Sequence, residues 1–131
     1  LTSTVILDEK QFELLQQYVG MLETIEEALT YVTDSFKEIE KTEGDRVLAD
    51  VFESFGQVSE SNELIKALFE KSPEIVSVLN QFKQVIDQTM KLDGHLGESN
   101  IKEEIVKGKL SPAFSTWKLK IDRFLKPLLN N

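Results

Sequence analysis

Cysteine is absent from this chain. That one absence removes disulfide frameworks, thiolate metal sites and thiol nucleophiles together. It fits a reducing compartment, and a cytoplasmic setting is the expectation that follows. No apolar run approaches the roughly 20 residues that a membrane-crossing helix needs. The start, Leu1 to Leu7, has neither a basic n-region nor a long apolar core, so it does not read as a signal peptide. It also lacks an initiator Met, which reads as a processed or trimmed form. Histidine is reduced to one residue, His95, so a Ser-His-Asp set has a single candidate base, and no G-x-S-x-G elbow presents a serine to it. E-x-x-H and H-E-x-x-H are both missing, which removes the helical di-iron and zinc-protease patterns. Neither G-x-G-x-x-G nor a Walker A loop occurs. Alternating strand patterns are absent too, apart from a short extended candidate at Thr2–Ile6.

Positive charge is scarce in the front half. Residues 1–70 carry 5 Lys/Arg against 16 Asp/Glu, a balance of −11, while residues 71–131 carry 10 against 7, a balance of +3. An acidic front half lacks the basic footprint that nucleic acids require. The simpler reading of the split is internal: the two halves pack together and compensate. The functional reading is an acidic half that receives a basic partner.

What the chain has is helical periodicity. Its 131 residues suit one domain, and 40% apolar content is ample for one core. Leu15, Leu22, Leu29 and Phe36 recur every seven residues, interleaved with Tyr18, Ile25, Val32 and Ile39. A long amphipathic helix is predicted from Asp8 to about Glu43. Asp8 as N-cap with Gln11 at N3 makes a capping-box spacing, and Leu7 with Phe12 makes a hydrophobic staple. The apolar arc is wider than a coiled-coil seam, so two neighbouring helices are expected. Gly44 suits the end of this helix and Asp45 the N-cap of the next, a link short enough for an antiparallel hairpin.

The second helix carries Leu48, Val51, Phe55, Val58, Ile65, Leu68 and Phe69, with Gly56 and Ser59-Glu60-Ser61 able to split it. Asn62 falls on its apolar stripe. It reads either as a polar seam residue that sets register or as a cap before Leu64-Ile65, and the cap is favoured. Ser72-Pro73 starts a third helix running to about Leu92. A glycine-rich stretch follows, Asp93 to Ser111, in which Asn100 and Glu103 can cap a short helix bearing Ile101 and Ile105. Ser111-Pro112 repeats the Ser-Pro start. The last helix carries Phe114, Trp117, Ile121, Phe124, Leu125 and Leu128 and is expected to fray near Pro127. The fold class is therefore all-α: an antiparallel bundle of four main helices plus one short helix, built on a long N-terminal hairpin, in a single domain over residues 1–131. Residues 1–7 are read as extended or disordered.

Chemistry is harder to find. Asp93 and Glu104 stand at positions 1 and 12 of a twelve-residue calcium loop, but His95, Gly97 and Glu98 occupy positions 3, 5 and 6, where oxygen ligands and an essential glycine belong. Glu26-Glu27, Glu38 with Glu40, and Glu103-Glu104 are paired carboxylates on expected solvent faces, without the burial that tunes a catalytic acid. No catalytic, cofactor-binding or metal-binding residues are assigned, and no cofactor is expected.

The most informative segment is the last helix, where Lys118, Lys120, Arg123 and Lys126 lie off a narrow apolar stripe holding Trp117. These five residues are the candidate interaction surface. The reading is a non-catalytic module for protein–protein interaction, an adaptor, an assembly or secretion chaperone or a regulatory subunit, with a protein partner or a second copy as in a homodimer. The rival is a small-molecule binder or enzyme using an apolar pocket among Phe52, Phe55, Phe82, Phe114 and Trp117. A lesser alternative lays the basic helix on a membrane surface, which the acidic body disfavours.

Overall fold

The computed structural model describes residues 6–38 and 40–130. Its elements run in the order α1 (Glu9–Ser35), α2 (Gly44–Leu68), α3 (Pro73–Asn80), α4 (Phe82–Met90), α5 (Ser99–Ile105), a π-helical turn (Val106–Leu110) and α6 (Ser111–Leu129). The fold is an all-α helical bundle, and no strand occurs among the described residues. Positions 2–5 of the extended candidate, and Ile39 of the heptad register, lie outside the described residues.

Helix α1 begins where the sequence places it. The Gln11 amide donates to the Asp8 carboxylate at 2.8 Å, and the Asp8 amide donates to the Gln11 side chain at 3.0 Å. Both halves of the capping box are thus made. Leu15, Tyr18, Leu22, Ile25, Leu29 and Val32 are all buried, so both interleaved registers face the core. The wide arc has the two neighbours it requires: α2 packs along one side of α1 and α6 along the other.

The end of α1 differs from the sequence reading. The helix stops at Ser35, not near Glu43. The Ser35 hydroxyl donates to the Val32 carbonyl at 2.6 Å, the acceptor that the Phe36 amide would use in a continuing helix. That amide turns instead toward the Thr33 carbonyl, at 3.4 Å. A side chain competing for a ladder carbonyl is a sufficient stop signal. Gly44 is also reassigned: it opens α2, with Glu43 rather than Asp45 at the N-cap position. A side chain there would collide with Ser35, so the close approach of the two helix ends requires glycine.

Helix α2 runs unbroken through Gly56 and past Ser59-Glu60-Ser61. Asn62 therefore caps nothing. It sits buried in mid-helix, and its Oδ1 accepts from the Tyr18 hydroxyl at 2.5 Å. The cap reading fails because Asn62 has a better partner across the α1–α2 interface than its own backbone offers.

The third predicted helix is broken at Gln81 into α3 and α4. It starts at Pro73 as expected, although the Ser72 side chain makes no capping bond. At the break the Val78 carbonyl accepts from the Gln81 amide at 3.1 Å and from the Trp117 indole N–H at 2.8 Å. A neighbouring donor that draws on a ladder carbonyl is one of the recognised causes of a helix kink. The chain then turns through Gly94, whose φ of 79° is a conformation open to glycine.

Helix α6 begins at Ser111 with Pro112 in its first turn, as the Ser-Pro spacing predicts, but Ser111 does not cap it and the chain before it is already helical. From Ser99 to Leu129 the chain is one continuous helical path, α5 passing through the π turn into α6. Asn100 lies inside α5, whose N-cap position is Glu98. The π turn directly precedes Pro112, a residue that brings no N–H to the ladder and crowds the carbonyl four residues back. Widening the turn relieves that crowding. Pro127 does not end α6 either; the helix continues to Leu129, and the Asn130 amide closes on the Lys126 carbonyl at 3.1 Å.

Candidate functional site

Helix α6 sorts its five nominated side chains onto different sides. Trp117 points inward and is 3% exposed. Its ring centroid lies 4.6 Å from that of Phe82 and 5.9 Å from that of Phe114, and Phe55 stands 5.6 Å from Phe82 and 5.7 Å from Phe114. These four rings meet in edge, tilted and stacked contacts. Phe52 is half-buried at the margin of the core.

Two of the four cations turn toward the first hairpin. Lys118 is buried, at 7% exposure, and so contributes little to an accessible surface. Its ammonium lies 2.8 Å from Asp122 and 3.5 Å from Glu26 of α1. Burial works against the charged form, but the carboxylates of Asp122 and Glu26 outweigh it and hold the Lys118 pKa above the ordinary lysine value. Lys126 reaches Glu23 at 3.3 Å and Asp122 at 3.7 Å. With Lys102, which meets Asp45 at 2.6 Å, these two lysines join the basic second half to the acidic first half. Asp122 lies near enough to Tyr18 that burial, reinforced by this negative charge, pushes the Tyr18 phenol pKa well above its usual value. Sequence reading passed over Asp122, although its spacing of four from both Lys118 and Lys126 was available as a signal.

The other two cations face the opposite way. Lys120 and Arg123 are exposed on the side of α6 that meets α3 and α4. The Lys120 ammonium donates to the neutral Gln81 side chain at 3.0 Å. Among the described residues neither Lys120 nor Arg123 has a carboxylate within ion-pair distance.

Lys120 also stands between two hollows along this seam. One, of about 240 Å³, has Val85 and Trp117 in its floor, Gln81, Gln84 and Thr116 on its walls and Pro112 at its end. The other, of about 220 Å³, is lined by Ile75, Val78 and Phe124, with Arg123 and Glu74 at its lips. Together they form a groove following α6 from Pro112 to Phe124, about 18 Å at 1.5 Å per residue. Nothing in the sequence signalled Gln81 and Gln84, because the α3–α4 break that presents them depends on Trp117 from a distant segment.

The remaining features carry less. His95 stands in the loop after α4 with its Nδ1 3.1 Å from Glu98. A broad, shallow hollow of about 540 Å³ lies on the outside of α5 and the π turn, where Glu103, Glu104 and Lys107 meet solvent. Among the described residues no helix is long and apolar enough to cross a membrane.

A family defines the class to which this bundle and its groove belong. Residues 13–120 match the family described as "Domain of unknown function (DUF8042)", and the chain belongs to that family. The match runs from Glu13 in the first turns of α1 through α5 and into α6 as far as Lys120; Arg123 lies beyond it. The chain is also similar to the uncharacterized protein YvzG of Bacillus subtilis (strain 168), with 25% identity over 122 residues, 93% of this chain and 97% of that protein. No solved structure is significantly similar.

Proposed function

We propose that this protein is a non-catalytic helical docking module acting in the cytoplasm, an adaptor, assembly or secretion chaperone or regulatory subunit, and that it receives a protein partner in the groove between α6 and the α3–α4 pair. One observation carries the reading. The groove combines an apolar floor, amide and hydroxyl walls and two cations without internal acid partners, in a chain that otherwise uses the basic residues of α6 to tie itself together. An apolar groove with a polar rim is the form in which bundles receive a partner's segment. Leu119, half exposed, extends the apolar character onto the outer face of α6 beside Thr116 and Arg123.

The test is site-specific photocrosslinking inside the cells that make the protein. A photoreactive side chain at Gln84 or Thr116 is expected to give protein adducts. The same group at Gln16, on the solvent face of α1, is expected to give few. Absence of adducts from both groove positions would remove the reading. Self-association is the second form of the same proposal, motivated by the exposed apolar side chains Leu64, Met90 and Leu119. Sedimentation across a concentration series decides it, a strict monomer at high micromolar concentration counting against a dimer.

A further inference from the structure

The groove has a chemical preference that the docking reading alone does not specify, and the inference that follows rests on that reading. This is an acid-rich chain, with 23 Asp/Glu against 15 Lys/Arg. Among the described residues six of its fifteen Lys/Arg side chains have a carboxylate partner: Lys41, Arg46, Lys66, Lys102, Lys118 and Lys126. Lys120 and Arg123 belong to those without one among the described residues, and they are the two that stand at the lips of one groove. Lys120 is held by the neutral Gln81 amide at 3.0 Å, which fixes its ammonium over the junction of the two hollows without neutralising it. Arg123 adds a planar fork of donors suited to a carboxylate. The one acid along the groove, Glu74, sits at the Arg123 end and leaves Lys120 unopposed.

From this arrangement we infer that the occupant of the groove is an acidic amphipathic segment of a partner protein, its carboxylates set against Lys120 and Arg123 and its apolar side chains on the floor made by Val85, Val78 and Phe124. The length fits: about 18 Å of groove accommodates roughly twelve residues of helix. Lys120 and Arg123 are three apart on α6, close to one turn, so carboxylates one turn apart on the incoming segment match them in register. Both cations stay solvated at the lips. Their contribution is to selection and approach more than to holding strength, which comes from the floor.

The experiment extends the crosslinking at Gln84 and Thr116 by mapping the captured segment with mass spectrometry and by repeating the capture with Lys120→Glu/Arg123→Glu and with the conservative Lys120→Arg. Urea melts confirm that the variants stay folded; Lys120→Gln/Arg123→Gln replaces the charge reversal if that variant is destabilised. The expected result is a segment rich in Asp/Glu with apolar residues at helical spacing. Its yield should fall about tenfold or more on charge reversal, survive Lys120→Arg and weaken as salt is raised. A captured segment without acidic residues, or a yield indifferent to charge reversal, overturns the inference while the docking reading stands. Adducts that join two copies of this chain overturn it in favour of self-association. Empty groove positions overturn both readings together.

Discussion

The Tyr18–Asn62 pair makes the sharpest demand on the packing of this bundle. Both residues are buried, at 2% and 4% exposure, and the phenol donates to the amide oxygen at 2.5 Å across the α1–α2 interface. Tyr18→Phe keeps the ring and its packing but removes the donor. Asn62 is then left with a buried oxygen lacking its partner, and the expected loss is about 1–3 kcal/mol. For a chain of this size a 2 kcal/mol loss lowers Tm by roughly 6–10 °C. Asn62→Leu strands the phenol in the same way, although added apolar burial offsets part of the cost. The double variant Tyr18→Phe/Asn62→Leu removes both polar groups at once, and it should be close to neutral or more stable than the parent. Equilibrium urea melts of the four proteins give the coupling energy directly, and an unchanged m-value would confirm that the unfolded reference is the same. If Tyr18→Phe costs less than about 0.5 kcal/mol, or if the double variant loses the sum of the single losses, the pair is not the buried hydrogen bond described above.

Other outcomes follow from the same packing. Leu22→Ala and Leu29→Ala should each lose about 2–5 kcal/mol in denaturant melts, since both are buried at the centre of α1. Trp117→Ala should lose about 3–5 kcal/mol, while Lys120→Ala and Arg123→Ala stay within about 0.5 kcal/mol of the parent. Lys118→Ala behaves differently from those exposed cations: it strips Asp122 and Glu26 of a buried partner, and a loss on the order of 2 kcal/mol is expected. Native tryptophan emission should be blue-shifted from that of the unfolded chain; emission as red as the unfolded chain would refute the burial of Trp117. The raised Tyr18 pKa sets an alkaline limit. Its stabilisation is complete below the ordinary tyrosine value of 10.0 and is lost as pH rises beyond it, because only the unfolded chain ionises there. Tyr18→Phe should lack that part of the alkaline decline in a melt series across pH.

How much of this was legible in the sequence depended on how local the cause was. The start of α1 rests on Asp8 and Gln11, three residues apart, and could be read directly. The core faces of α1 rest on heptad spacing and were equally legible. The inward Trp117 followed from its place on the apolar stripe of α6. What could not be read depends on partners distant in the chain. Asn62 looked like a cap because Tyr18, 44 residues away, was not visible as its acceptor's donor. The α3–α4 break involves an indole 39 residues downstream. Lys118 looked like Lys120 by composition, and only the approach of α1 separates a buried pair from an exposed cation. Punctuation signals were less dependable. Ser35 ended α1 through its own hydroxyl, without glycine or proline, Ser111-Pro112 opened α6 without interrupting the helical path, and α6 ran on past Pro127. The groove was half legible: Lys120 and Arg123 were nominated from their helix, but Gln81 and Gln84 belong to a wall that exists only after folding.

The π turn has a consequence for how this chain tolerates changes of length. Lys102, Val106, Leu110 and Phe114 are buried at intervals of four, a spacing that overshoots an α-helical turn by about 40° at each step. A wider turn holds such a stripe on one side. Removing a single residue, for instance Gly108, would let the path from α5 to α6 close into plain α-helix. The twelve steps from Lys102 to Phe114 now make about three turns, and eleven steps of plain α-helix make nearly the same, so the two halves would shift in phase by only about 20°. Lys102 would keep its approach to Asp45, which it now meets at 2.6 Å, and Ile105 its place in the core. Gly108 itself has open space around it, and a substitution there meets no obstacle. Residues 106–110 are thus a place where the chain absorbs one residue more or less by changing the width of a turn. In a family compared by alignment, a one-residue gap at this point would be compatible with the same arrangement of α5.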